Sequence, residues 1–135
     1  IHAWETLPPW PETVGVLTQV RRRPVILGTL SNGDADMLQA LLRRLPVTFD
    51  HIISTEGGMF KPHPSVYAKA LDALGVERDA LLHVAGSATD AAGATAFGIR
   101  TIWVNRGRDA VADPRFTPAD EVPDLLGVLD ILDRA

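Results

Sequence analysis

Short apolar runs alternate with amphipathic stretches along most of the chain. The apolar runs that predict strands lie at residues 25–30, 49–54, 81–85 and 99–104. Apolar residues at helical spacing predict helices that begin at Pro11 and that lie near residues 34–45, 66–74, 89–96 and 122–132. Because these elements alternate without hairpin turns, the pattern predicts an α/β fold, a parallel sheet with right-handed crossovers.

Local signals define several element ends. Asp34 is placed to cap the second helix, and Gly75 ends the third. The small residues of 91–96 predict a helix that packs close to the sheet. Residues 1–8 have no periodicity and predict a linker that enters one domain, residues 9–135.

Composition narrows the function classes. The chain has 135 residues, 46% of them hydrophobic, and a net charge of −4, so one soluble domain is expected and nucleic acid is not an expected partner. The basic residues Arg21, Arg22 and Arg23 lie at a helix end, where cations complement the helix dipole. The absence of cysteine excludes disulfides and a cysteine nucleophile. No apolar run reaches about 18 residues and no signal peptide is evident, so the prediction is a cytoplasmic protein without a membrane segment.

Polar residues follow the predicted strands at their carboxyl ends, where open parallel sheets bind ligands. Ser31 and Asn32 follow the first strand, Lys61 lies in the loop after the second, and Ser87 and Asp90 follow the third. Taken singly, Ser31 and Asn32 are typical of a turn, Lys61 of an exposed surface lysine, and Asp90 of a helix cap. Together they predict an anion cradle, with a lysine that orients a nucleophile and an aspartate that orients the lysine or a water.

The joint pattern resembles the HAD superfamily of hydrolases and, within it, the type II 2-haloacid dehalogenases. The resemblance runs from about Pro9 to the end of the chain. It rests on the segments Leu30-Ser31-Asn32-Gly33, residues 49–54, Lys61-Pro62 with Tyr67, residues 83–87 with Asp90, Gly93-Ala94, and Trp103-Val104-Asn105-Arg106.

The resemblance implies a Rossmann-like three-layer core and covalent carboxylate catalysis. An aspartate displaces halide from C2 of a small anionic 2-haloalkanoic acid, and water then hydrolyses the ester. In this scheme Ser31 hydrogen-bonds the nucleophile or the substrate carboxylate, and Asn32 helps to hold the halide or the bound acid. Tyr67 supports the substrate carboxylate and Lys61. Lys61 keeps the nucleophile ionised and placed, and Asp90 positions that lysine and the water.

Three positions depart from the family pattern. Ala85 and Ser87 stand where many dehalogenases supply a serine and an asparagine around the water, so Ser87 is expected to take part of that role. Gly86 stands where magnesium-dependent phosphatases of the superfamily carry a carboxylate. Its lack of a ligand oxygen favours chemistry without a cofactor, and Mg²⁺ is expected only if the chain is a phosphatase.

The nucleophile is the main gap in the pattern. No aspartate here ends an apolar strand before Gly-Thr: Asp50 precedes its strand and Asp130 lies in the last helix. We therefore expect these residues to be the carboxyl portion of a longer protein, without the first strand and the helical cap. The strands beside that central strand would then have unpaired backbone groups. A phosphatase, or a non-catalytic protein that acts through binding or dimerisation, is the alternative.

Other residues give weaker expectations. His83, inside an apolar strand, is expected to be a buried, hydrogen-bonded imidazole, and Arg106 suits an anionic substrate or a surface role equally well. His63 is expected in a loop and Trp103 in the core. Trp4 and Trp10 are expected to pack at a junction with the cap. A zinc site at His2 or His51 is not expected, because no other ligand type lies near them. A homodimer is possible on the family pattern alone.

Overall fold

The computed structural model describes residues 7–134, so Trp4, His2 and most of the predicted linker lie outside the described residues. The helices are α1 (Thr13–Arg21), α2 (Ala35–Arg43), α3 (Pro64–Leu74), α4 (Ala88–Ala96) and α5 (Leu126–Arg134). The strands are β1 (Gly28–Ser31), β2 (His51–Ser54), β3 (Leu82–Ala85), β4 (Arg100–Val104) and β5 (Asp120–Val122). Short 3₁₀ helices lie at Arg78–Ala80 and Pro114–Phe116.

All strand pairings in the described residues are parallel, as the alternating pattern predicts. β1 pairs with β2, with Ser31 opposite Ser54. β4 lies between β3 and β5 in a second sheet. Since parallel strands place their carboxyl ends at one edge, the residues after β1, β2 and β3 are brought to the same side of the molecule.

β5 corrects the sequence prediction, which places a polar loop and then a helix from Val122. Residues 120–122 form a strand instead, and α5 begins only at Leu126. The strand has only three residues and begins Asp120-Glu121, so it has no apolar period to detect. It is formed by backbone pairing with β4, extended by the N–H of Asn105, which donates to the carbonyl of Val122 at 2.8 Å.

The helix ends follow local chemistry. Asp34 Oδ1 accepts the N–H of Met37 at 2.7 Å, and Gly75 takes a left-handed conformation with φ 67°, which confirms both predicted boundaries. His63 lies in the loop before α3, as predicted, and as the N-cap its Nδ1 accepts the N–H of Ser65 at 3.1 Å. The cap of α4 is Ser87, whose Oγ accepts the N–H of Asp90 at 3.1 Å.

The core confirms the tight packing predicted for the small-residue helix α4. Ala91 and Ala94 are buried, and Trp103 packs with Ala91 against β3. A Cβ placed on Gly93 would lie 2.5 Å from Pro62 Cβ and 2.8 Å from Tyr67 Oη. The helix therefore approaches the loop after β2 as closely as a glycine allows. A separate cluster of Ile102, Val104, Val128 and Ile131 joins β4 to α5.

A cleft separates the two sheets. Within residues 7–134, β1 pairs only with β2 and β3 pairs only with β4, so each leaves one backbone edge unpaired. The cleft has a volume of about 800 Å³ and is lined by residues of β1 and β3, among them Leu30, Leu82 and His83. That a further strand fills this cleft stays a prediction. Thr29 Oγ1, on β1, is buried without a hydrogen-bond partner among the described residues.

Candidate active site

Asp90 is the centre of the predicted site. It lies in the first turn of α4 and is buried, with its own N–H held by Ser87. Its Oδ2 accepts the ammonium of Lys61 at 2.9 Å and faces Nε2 of His83 at 3.0 Å. Its Oδ1 accepts the hydroxyl of Tyr67 at 2.8 Å. A loop lysine, a strand histidine and a helix tyrosine therefore meet on one carboxylate.

These contacts keep the carboxylate ionised. Burial raises the pKa of Asp90, but the hydrogen bond and charge of His83, with those of Lys61, lower it more, and the resulting pKa is about 2. Burial and the hydrogen bond to Asp90 raise the pKa of Tyr67 well above its usual value. Tyr67 therefore stays protonated and remains a donor at neutral pH.

The loop that carries Lys61 is fastened to the end of β1. Asn32 Oδ1 accepts the backbone N–H of Lys61 at 2.9 Å. Ser31 Oγ accepts the N–H of Gly33 at 3.1 Å, and Ser54 Oγ donates to the carbonyl of Gly33 at 2.6 Å. Asn32 thus helps to place the lysine, and Ser31 shapes the turn beside it.

Five of the six predicted site residues are joined by hydrogen bonds. Lys61 and Tyr67 contact the Asp90 side chain, Ser87 holds its N–H, and Asn32 holds the backbone of Lys61. Ser31 lies at the same sheet edge, bonded to its own turn. The roles of Ser31, Asn32 and Tyr67 toward a substrate stay predictions. The contact that the structure gives Tyr67 is with Asp90, where the sequence prediction has Lys61.

His83 is a residue of the candidate site that sequence reasoning did not place there. Its imidazole is hydrogen-bonded, as predicted, but it is only partly buried and its partner is Asp90. The available signal was its position two residues before the end of β3, next to the turn that leads into Asp90.

Arg106 has a structural partner. Its guanidinium pairs with Glu12 and lies over the ring of Trp10, 4.4 Å from the centroid. Glu12 also accepts the N–H of Leu125 at 3.1 Å. The hydrogen bond from Arg106 holds the pKa of Glu12 near 2. These contacts give Arg106 a structural role, and a role toward an anionic substrate stays a prediction.

The donor set does not suit magnesium. Mg²⁺ prefers several oxygen ligands, but both oxygens of Asp90 already accept from cationic or hydroxyl donors, and Gly86 has no side chain to offer. Within residues 7–134, no three His, Asp or Glu side chains come together as a metal-binding group.

A family model described as a haloacid dehalogenase-like hydrolase matches residues 1–98 of this chain. The chain belongs to that family of hydrolases. An (S)-2-haloacid dehalogenase of Pseudomonas sp. (strain YL) is 35% identical, over 98% of this chain and 59% of the relative. Haloacetate dehalogenase H-2 of Moraxella sp. (strain B) is 33% identical, over 93% of this chain and 58% of the relative.

Solved structures agree on the fold of this haloacid dehalogenase-like hydrolase. An L-2-haloacid dehalogenase crystal structure matches with a TM-score of 0.90 and 33% identity, over 96% of this chain and 59% of the other. The L-2-haloacid dehalogenase of Xanthobacter autotrophicus matches with a TM-score of 0.83 and 31% identity, over 99% and 64%. The chain thus spans about three fifths of the length of the curated relatives it matches. In the part that the structure describes, no helix has the length and apolarity needed to cross a membrane.

Proposed function

We propose that this chain supplies the lysine–aspartate half of a hydrolytic 2-haloacid dehalogenase active site. The observation that supports this most directly is the Lys61–Asp90 pair, whose side chains are 17% and 8% exposed and lie 2.9 Å apart. The pair lies at the carboxyl edge of the strands. The similarity to curated (S)-2-haloacid dehalogenases gives the reaction class.

The proposed reaction has two steps. A carboxylate oxygen attacks C2 of a small 2-haloalkanoic acid, so that a C–O bond forms and the halide leaves with the electrons of the C–halogen bond. Water then adds to the ester carbonyl, releases the 2-hydroxy acid and regenerates the carboxylate, with loss of a proton. Lys61, held by Asp90, keeps the nucleophile ionised and oriented, and the turn at Ser87 helps to place the water.

The nucleophile is proposed to enter on a strand that fills the cleft between β1 and β3. Both edges of that cleft offer unpaired parallel backbone, and its walls are mainly apolar. A strand in this position would end beside Lys61 and Asp90. Ser31 and Asn32 are proposed to contact the anionic substrate. Tyr67 is proposed to support the site through the hydrogen bond from its hydroxyl to Asp90. A cytoplasmic location and a homodimer remain predictions.

The test uses the complete gene product that carries this chain. Halide release from (S)-2-chloropropionate and phosphate release from p-nitrophenyl phosphate are measured with and without Mg²⁺. The proposal expects halide release that is independent of the metal. Phosphate release that requires Mg²⁺, without halide release, would establish the phosphatase instead. Absence of both activities would favour the non-catalytic alternative.

Lys61→Met tests the lysine directly, because methionine keeps much of the side-chain volume but removes the charge. We expect kcat for halide release to fall by roughly 100-fold or more, the scale of losing one preorganised electrostatic contact. Lys69→Met is the matched control, since Lys69 donates to the carbonyl of Ser54 from the exposed face of α3. Equal activity of the two variants would contradict the proposed site.

A further inference from the structure

His83, Tyr67 and Asp90 form a closed triangle of contacts. His83 Nε2 and the Tyr67 hydroxyl take different oxygens of the Asp90 carboxylate, at 3.0 and 2.8 Å. The two rings also contact each other edge to face, with centroids 5.9 Å apart and planes at 79°. Each member of the triangle therefore fixes the orientation of the other two.

This arrangement defines the plane of the carboxylate. Rotation about the last bond of an aspartate side chain is soft, so a single donor leaves the carboxylate free to turn. Tyr67 on Oδ1, with His83 from a strand and Lys61 from a loop on Oδ2, removes that freedom. Because Lys61 shares Oδ2 with His83, the direction from which the lysine approaches is set by where His83 holds that oxygen.

The strand that carries His83 holds its imidazole in place beside the Asp90 carboxylate. His83 lies inside β3, paired in register with the buried Thr101 of β4, whereas Lys61 is carried by a loop. Its side chain is 12% exposed and lines the cleft between β1 and β3. An ionised carboxylate only accepts hydrogen bonds, so the imidazole must carry its proton on Nε2.

We infer that His83 is a positioning residue: it orients the Asp90 carboxylate and, through it, the ammonium of Lys61. The inference rests on the proposed function for its kinetic consequence, but its structural content stands independently. The titratable groups that face the imidazole and its carboxylate are Asp90 of α4, Tyr67 of α3 and Lys61. The neighbouring β4 presents Thr101, which does not titrate.

Two amide variants separate hydrogen bonding from packing. In His83→Gln the amide nitrogen reaches the position of Nε2, whereas in His83→Asn it falls short, and neither side chain titrates near neutral pH. We expect His83→Asn to lower kcat for halide release by about 10-fold with KM changed less than 2-fold, the cost of one charge-assisted hydrogen bond. His83→Gln should recover most of that loss. His51→Gln and His51→Asn, on β2, are the matched controls.

The second readout is independent of catalysis. A ¹³C NMR titration of the Asp90 carboxyl in the complete protein should show its pKa rising in His83→Asn and staying near the wild-type value in His83→Gln. Thermal unfolding of each variant reports whether the fold is kept. If both variants leave kcat and the Asp90 titration unchanged, or if both impair them equally, the inference is wrong. Absence of halide release in the wild type would overturn the proposed function, and the Asp90 titration would still decide the role of His83.

Discussion

Gly93 lies where α4 meets the loop that carries Lys61, and a single added methyl group tests how tightly that contact is built. In Gly93→Ala the new Cβ would lie 2.5 Å from Pro62 Cβ, 3.3 Å from Pro62 Cα and 2.8 Å from Tyr67 Oη. Contacts below 3.0 Å require a shift. The shift falls on Pro62, which follows Lys61, or on the hydroxyl that binds Asp90.

The expected loss of stability is the difference between two terms. Replacing glycine by alanine inside a helix stabilises by about 0.8–1.0 kcal/mol. Overpacking a tight contact costs about 1–3 kcal/mol. The free energy of unfolding should therefore fall by about 0–2 kcal/mol, a modest change for a substitution at a partly buried site.

The expected loss of activity is larger, because the displacement falls on the proposed catalytic groups. A misplacement of about 1 Å in a catalytic group can cost roughly 100-fold in rate. The assay is urea unfolding together with halide release by the complete protein. The control is Gly15→Ala in α1, where a Cβ meets no heavy atom within 4 Å. This control should gain up to about 1 kcal/mol and keep full activity. If Gly93→Ala gains stability and keeps activity in the same way, the close approach of α4 to Pro62 and Tyr67 is refuted.

Three further predictions concern stability. Asp34→Ala removes the cap on the N–H of Met37 and should lower the free energy of urea unfolding by about 1 kcal/mol; no loss would show that the cap contributes nothing. The pKa of Asp90, about 2 against an ordinary 3.8, means that its ionised form stabilises the fold above about pH 4 and loses this effect as the pH falls toward 2. Asp90→Asn should therefore destabilise the protein at pH 7 but little at pH 2, and equal losses in melting experiments at both pH values would contradict this. Glu12→Gln weakens the pairing with Arg106 and the hydrogen bond from Leu125 and should lower the Tm, with exposed Glu77→Gln as control.

The elements that were predictable from sequence are those with local causes. The cap at Asp34 and the left-handed Gly75 depend on residues within one turn, and both lie where the sequence places them. β5 was missed because its only cause is tertiary: three residues beginning with two charges become a strand through pairing with Ile102–Val104. The β-propensity of residues 120–122 does not reflect their pairing with β4.

The candidate site shows the same division. Lys61 and Asp90 were predictable because their family motif and their strand-end positions coincide, and the structure joins them directly. The hydrogen bond of His83 was not predictable, since an imidazole in an apolar strand has many possible partners. Its ring contacts Asp90 and packs edge to face against Tyr67, and both contacts are tertiary. Sequence thus indicated the residues of the site better than the contacts between them.

Tyr67 has a consequence for attempts to change this protein by directed evolution. Its ring lies in a core cluster with Ala94 and Ile99, while its hydroxyl binds Asp90. Selection for activity at Asp90 is therefore also selection on the core, and a library that varies the cluster will mix folding defects with catalytic ones. Met59 and Phe60, which are 56% and 59% exposed and directly precede Lys61, are free of that coupling through the core. They can be varied beside the proposed lysine without disturbing that cluster.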